Sequence, residues 1–173
     1  MSFDLLFMKW IMGYTSRLCL FLILILPIRS FAQGFETYSQ ESSFATMMLE
    51  CPNPKVLPPM MGFGALYSCV LGDAQTVTWS ISKEPNSEQV RNITLMWNDW
   101  HTNAGYKIHA DLKEAQKALS FLIDMYVPER KNEIEQAFWG SKSKTLTTAN
   151  FIINYTNTPG PQKDQRLIVI EGK

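Results

Sequence analysis

Histidine, long apolar runs, surplus charge of either sign and catalytic signatures are all scarce in this chain of 173 residues. The longest uncharged apolar run, Leu18 to Ile28, has eleven residues, well short of the roughly 20 that cross a bilayer as a helix. Sixteen Lys and Arg balance sixteen Asp and Glu, so no bulk positive field is available to hold nucleic acid. Nine Gly and nine Pro follow no period, which excludes collagen-like and Pro-rich repeats. There is no G-x-S-x-G elbow, no H-E-x-x-H helix and no P-loop. Gly62-Phe63-Gly64 starts like a dinucleotide fingerprint, but residue 67 is Tyr and no βαβ pattern surrounds it. With 46% hydrophobic and 12% aromatic residues, the chain is rich enough in apolar side chains to fold rather than stay disordered.

The apolar run at the start has the form of an address. Lys9 and Arg17 precede it, and Ser30-Phe31-Ala32 follows it with small residues three and one positions before a cut after Ala32. A positive start, a short apolar run and such a site predict a cleaved secretory signal over 1–32, with one domain over 33–173. Met8 and Met12 are alternative starts, and an uncleaved anchor is the alternative fate of the segment. Cys19 opens the apolar run instead of following it, so lipid attachment there is not expected. Without the leader the net charge is about −2, and the chain is expected to be exported to an oxidising compartment, the bacterial periplasm first and the extracellular space otherwise. Only Cys51 and Cys69 then remain of three cysteines, which predicts one disulfide. In the chain-entropy picture a loop of that length is stabilised by roughly 3 kcal/mol.

Periodicity predicts an α+β domain: an antiparallel sheet of about five strands with helices on one face, in the order α-β-β-β-α-α-β-β. The first helix is expected over Tyr38 to Glu50, with Phe44, Met47 and Met48 at helical spacing and Ser39 or Ser42 as N-cap. Four prolines in the stretch from Pro52 to Gly64 make it an extended connection. Strands are expected over 65–70, 75–82 and 90–97 as a meander. The longest helical stripe, Leu112, Ala115, Leu119, Leu122, Ile123 and Tyr126, predicts a helix from Asp111, with Asp111 and Glu114 at capping-box spacing. Pro128 should end it and start a second helix to Trp139, with Gly140 after its end. Two further strands are expected over 146–155 and 166–170. Asn92-Ile93-Thr94 and Asn154-Tyr155-Thr156 match the glycan-acceptor pattern, but both fall inside expected strands.

Candidate chemistry concentrates in Trp97 to Asp111, WNDWHTNAGYKIHAD, read as a long loop at a sheet end. Trp97, Asp99, Trp100, His101, Tyr106 and His109 make it a candidate ligand or partner surface. His101 and His109 with Asp99 are the only set that could bind a divalent metal or act as acid and base. The spacing fits no metal motif, turn chemistry accounts for Asn98-Asp99, and helix capping accounts for Asp111. A second candidate surface is Met60, Met61 and Phe63, which lie in the Pro-rich connector outside any periodic face. Thioethers suit a partner contact or Cu(I), although two adjacent methionines do not define a metal site. Met47, Met96 and Met125 are expected in the core. No cofactor, no catalytic residue and no metal is assigned. The leading expectation is a small, exported, non-enzymatic envelope protein that binds a protein partner or small ligand. The alternative is a small periplasmic hydrolase or metal-dependent enzyme built on the 97–111 segment.

Overall fold

The computed structural model describes residues 34–102, 105–140 and 142–173. The expected leader over 1–32 lies outside the described residues, as do Gln33, Asn103, Ala104 and Ser141. Helix α1 spans Tyr38–Met48, and strands β1 to β4 span Lys55–Leu57, Leu66–Leu71, Val77–Lys83 and Val90–Trp100. Helix α2 (Leu112–Tyr126) leads through a 3₁₀ turn at Pro128–Arg130 into α3 (Lys131–Trp139). Strands β5 (Lys144–Thr147), β6 (Phe151–Thr158) and β7 (Lys163–Gly172) complete the chain. All seven strands pair antiparallel in the order β1-β2-β3-β4-β7-β6-β5.

The class is the expected one, but the sheet is larger by two strands. Lys55–Leu57 forms an edge strand between Pro54 and Pro58. An edge tolerates proline because one side of the strand needs no ladder partner. The single strand expected over 146–155 is a hairpin instead. Its turn closes where Thr148 N donates to Phe151 O at 2.9 Å and Phe151 N donates to Thr148 Oγ1 at 3.1 Å. Threonines at 145, 147 and 148 read as strand formers in sequence and hide that turn.

Alternation decides which way the sheet faces. Tyr67, Cys69 and Leu71, then Val77, Trp79 and Ile81, then Ile93, Leu95 and Trp97 are buried, while their neighbours on the other face are half-buried. Phe151, Ile153, Tyr155, Ile168 and Ile170 continue the same inner face across β6 and β7. The helices pack there: Phe121 of α2 meets Trp79, and Phe138 of α3 stacks on Trp97. Ala115, Leu119, Leu122 and Ile123 of α2 are buried as their spacing requires. Each buried Leu or Ile stabilises the fold by roughly 1.5–3 kcal/mol.

Helix α1 turns differently from the expectation. Its cap is Thr37, which accepts from Gln40 N while Gln40 returns a side-chain contact to Thr37 N, the reciprocal capping box. The buried positions are Tyr38, Glu41 and Ala45, so Met47 is 64% exposed and outside the core. Met48 is exposed as well, and Met96 and Met125 are half-buried. Burying a glutamate is what rotates the apolar reading. Glu41 accepts from Tyr126 Oη at 2.5 Å and from Glu36 N at 2.9 Å, which meets the need of a buried carboxylate for donors.

Tyrosines in this core give the fold an alkaline limit. Burial, then the Glu41 carboxylate, push the Tyr126 hydroxyl far above its ordinary range. Burial also raises Tyr38, Tyr67 and Tyr155. A group raised in the folded state contributes stability that is complete below the unfolded value, about 10, and lost as pH climbs past it. Stability is therefore expected to hold to about pH 10 and then fall steeply. Parallel titration of tyrosinate absorbance and circular dichroism checks this: most ionisation should coincide with unfolding. Complete ionisation of a still-folded chain would contradict it.

Candidate functional site

The 97–111 segment is built from two elements, not one loop. β4 continues to Trp100 because β7 offers partners along its whole length: Trp97 faces Arg166, Asp99 faces Asp164 and Trp100 faces Lys163. A long partner strand overrides the turn preference of Asn98-Asp99. Alternation then sends Trp97 and Asp99 inward, and Trp100 to the open face.

Asp99 is only 4% exposed, and each of its oxygens is occupied. Arg166 reaches Oδ2 through Nε at 3.1 Å and Nη2 at 3.0 Å, and His109 Nδ1 meets Oδ1 at 2.7 Å. The remaining guanidinium nitrogen, Nη1, donates to the carbonyls of Phe138 and Gly140 at 2.5 and 3.0 Å. Tyr155 Oη donates to the same two carbonyls at 3.3 Å. A cation at a helix C-terminus also meets the negative end of the helix dipole. Gly140 itself ends α3 with φ −82°, so these side chains replace the left-handed glycine cap expected there.

His109 is held from both sides. Its amide donates to Trp100 O at 2.6 Å, and the next carbonyl, Ala110 O, accepts from Trp97 Nε1 and Thr76 Oγ1. Asp111 does not cap α2 through its side chain. It adopts φ 56°, and its carboxylate accepts from Ala74 N, Thr76 N and Thr76 Oγ1 at 2.9–3.1 Å. The capping-box reading fails because these three donors on the β2–β3 turn compete for the carboxylate. His109, with φ 54°, shares the left-handed conformation.

His101 goes elsewhere: its Nε2 lies 3.4 Å from Asp164 Oδ1. The two imidazoles thus serve different carboxylates. Among the described residues no three His, Cys, Asp or Glu side chains are arranged to hold a metal ion, and the His101–Asp99–His109 metal set is not assembled. On the open face Trp100 stacks on Tyr106 with centroids 4.5 Å apart, and Lys163 Nζ lies 5.4 Å from the Trp100 centroid. Lys163 also donates to Asn98 Oδ1 at 3.2 Å. Arg166, Asp164 and Lys163 were missed in the sequence, where 166–170 reads as an apolar strand. The alternating Lys163, Asp164 and Arg166 ahead of it were the available signal.

The second candidate surface sits on a tight turn. Phe63 N donates to Met60 O at 2.7 Å and Met60 N donates to Phe63 O at 3.2 Å. Gly62 supplies φ 78° at the third position, where a type II turn needs it. Met60, Met61 and Phe63 are 71%, 99% and 66% exposed. The chain on either side is fixed by the Cys51–Cys69 disulfide, with Cα atoms 5.9 Å apart. Cys51 follows α1, and Cys69 lies in the centre of β2, fully buried. The connector leaves β1 at the end where Leu57, Leu66 and Ser82 align, beside Asn92 of β4. Trp100 is eight residues further along β4, or roughly 27 Å at the usual strand rise. The two candidate surfaces therefore lie at opposite ends of the sheet and cannot form one contact.

No protein-family model, curated protein or solved structure matches the chain. Its class rests on its fold and side-chain geometry. They define a mixed α+β protein with a seven-stranded antiparallel sheet, one disulfide and, among its described residues, no helix long and apolar enough to cross a membrane.

Proposed function

We propose that the chain is a small exported protein of the bacterial envelope, cleaved after Ala32, that binds a protein partner without catalysing a reaction. The observation that carries this reading is the Met60–Phe63 turn, whose three large apolar side chains face solvent on a backbone fixed by two reciprocal hydrogen bonds. Exposed apolar groups gathered at one place favour contact with another surface, and methionine adapts to an irregular one. A projecting tip suits a concave apolar pocket in a partner protein. The disulfide accords with an oxidising compartment.

A second reading, a periplasmic hydrolase, has the oriented His109–Asp99 pair in its favour. Among the described residues neither imidazole hydrogen-bonds a hydroxyl or a thiol, and Arg166 binds the same carboxylate and the α3 end. That arrangement is accounted for as the lock of a sheet corner.

The test is site-specific photocrosslinking in intact envelopes. A photoreactive residue at Met61 is expected to give one adduct of defined mass, absent when the same residue replaces exposed Lys131. Identical adducts from both positions would contradict the proposal.

A further inference from the structure

We propose that Met60 and Met61 form an oxidation-sensitive site that switches the apolar tip between a binding and a non-binding form; the switching half of this inference rests on the binding reading above. The chemistry starts from where sulfur is available. Cys51 and Cys69 are consumed in the disulfide, so methionine supplies the oxidisable sulfur of the described chain. Among the described residues four methionines are exposed: Met47 and Met48 at the end of α1, before Cys51, and Met60 and Met61 at the turn, within the loop that the bridge closes. Met96, in β4, and Met125, in α2, are half-buried.

A peroxide is the oxidant class an exported protein meets. The thioether sulfur attacks the terminal peroxide oxygen; an S–O bond forms and the O–O bond breaks. Sulfur loses two electrons to give the sulfoxide, and the proton on the transferred oxygen passes to the departing hydroxide or alkoxide, which leaves as water or an alcohol. The product is polar where the thioether was apolar. At Met61 this costs the fold nothing, because the side chain is 99% exposed and packs on nothing. Met96, by contrast, is half-buried, and its sulfur already accepts from Gln165 Nε2 at 3.2 Å. Tip chemistry is thus separated from fold stability, as a reversible switch requires, and the exposed sulfoxides are open to reductases.

The purified chain is exposed to hydrogen peroxide and followed by peptide mass spectrometry, thermal melting and retention on a phenyl matrix. Met60 and Met61 are expected to oxidise roughly tenfold faster than Met96 and Met125, given their exposure. Phenyl retention should fall while the melting temperature stays unchanged. A Met60→Leu/Met61→Leu variant should keep its retention, and its crosslink from position 63, after the same treatment. Equal oxidation rates at all methionines, or unchanged retention of the doubly oxidised tip, would overturn the site. Absence of any crosslink from untreated protein would overturn the binding reading instead, with rates and retention still deciding the site.

Discussion

Replacing Arg166 with methionine is expected to destabilise the fold by about 3–5 kcal/mol, the usual cost of stranding one partner of a buried ion pair. Asp99 would keep only His109, at 4% exposure, and the carbonyls of Phe138 and Gly140 would keep only the longer bonds from Tyr155. The loss should reach beyond β7, because one guanidinium joins β4, β7 and the end of α3. It also lies 5.8 Å from the Trp97 ring centroid, so near-ultraviolet circular dichroism should report the change. Asp99→Asn alone removes the charge that Arg166 neutralises. Because both substitutions break one network, the double variant should cost clearly less than the sum of the singles. Chemical denaturation of the four proteins checks this; an additive cycle would contradict the lock.

Gly72→Ala has the second-largest expected effect. Gly72 has φ 83°, and a Cβ there would lie 2.1 Å from Asp111 Cγ and 2.4–2.5 Å from its oxygens. The methyl group would displace the carboxylate that ties the β2–β3 turn to the start of α2, on top of the strain of a left-handed backbone. Together these should cost about 2–4 kcal/mol, from strain of order 1–3 and broken hydrogen bonds of similar size. Asp111→Ala should cost about 1–3 kcal/mol by leaving Ala74 N, Thr76 N and Thr76 Oγ1 without their acceptor. Once Asp111 is gone, Gly72→Ala should cost only its backbone strain. Equal costs in both backgrounds would show that the clash is unimportant.

Much of the fold was legible because it rests on local period. The α2 stripe, the Val77-Trp79-Ile81 alternation and the Ile134, Ala137 and Phe138 face of α3 all lie where spacing put them. The Cys51–Cys69 bridge followed from counting once Cys19 was set aside with the expected leader. What escaped depends on residues distant in sequence. β4 outruns its turn residues because β7 pairs with it seventy residues on. Glu41 sits inward because Tyr126 waits there, which leaves Met47 in solvent. Asp111 abandons its cap for Thr76. At the candidate site, the histidines were visible but their partners were not: Asp164 and Arg166 come from a strand that looked merely apolar. Met60, Met61 and Phe63 fit no periodic face in the sequence, and all three side chains are exposed.

Met60, Met61 and Phe63 are proposed to serve contact and not folding. The most direct measurement pairs urea unfolding with crosslinking for a Met60→Ser/Phe63→Ser variant carrying the photoreactive residue at Met61. The two exposed serine substitutions should change unfolding free energy by no more than about 0.5 kcal/mol each, while the adduct expected from Met61 of the otherwise unchanged protein disappears. A variant that unfolds readily, or one that keeps its adduct, would contradict the account.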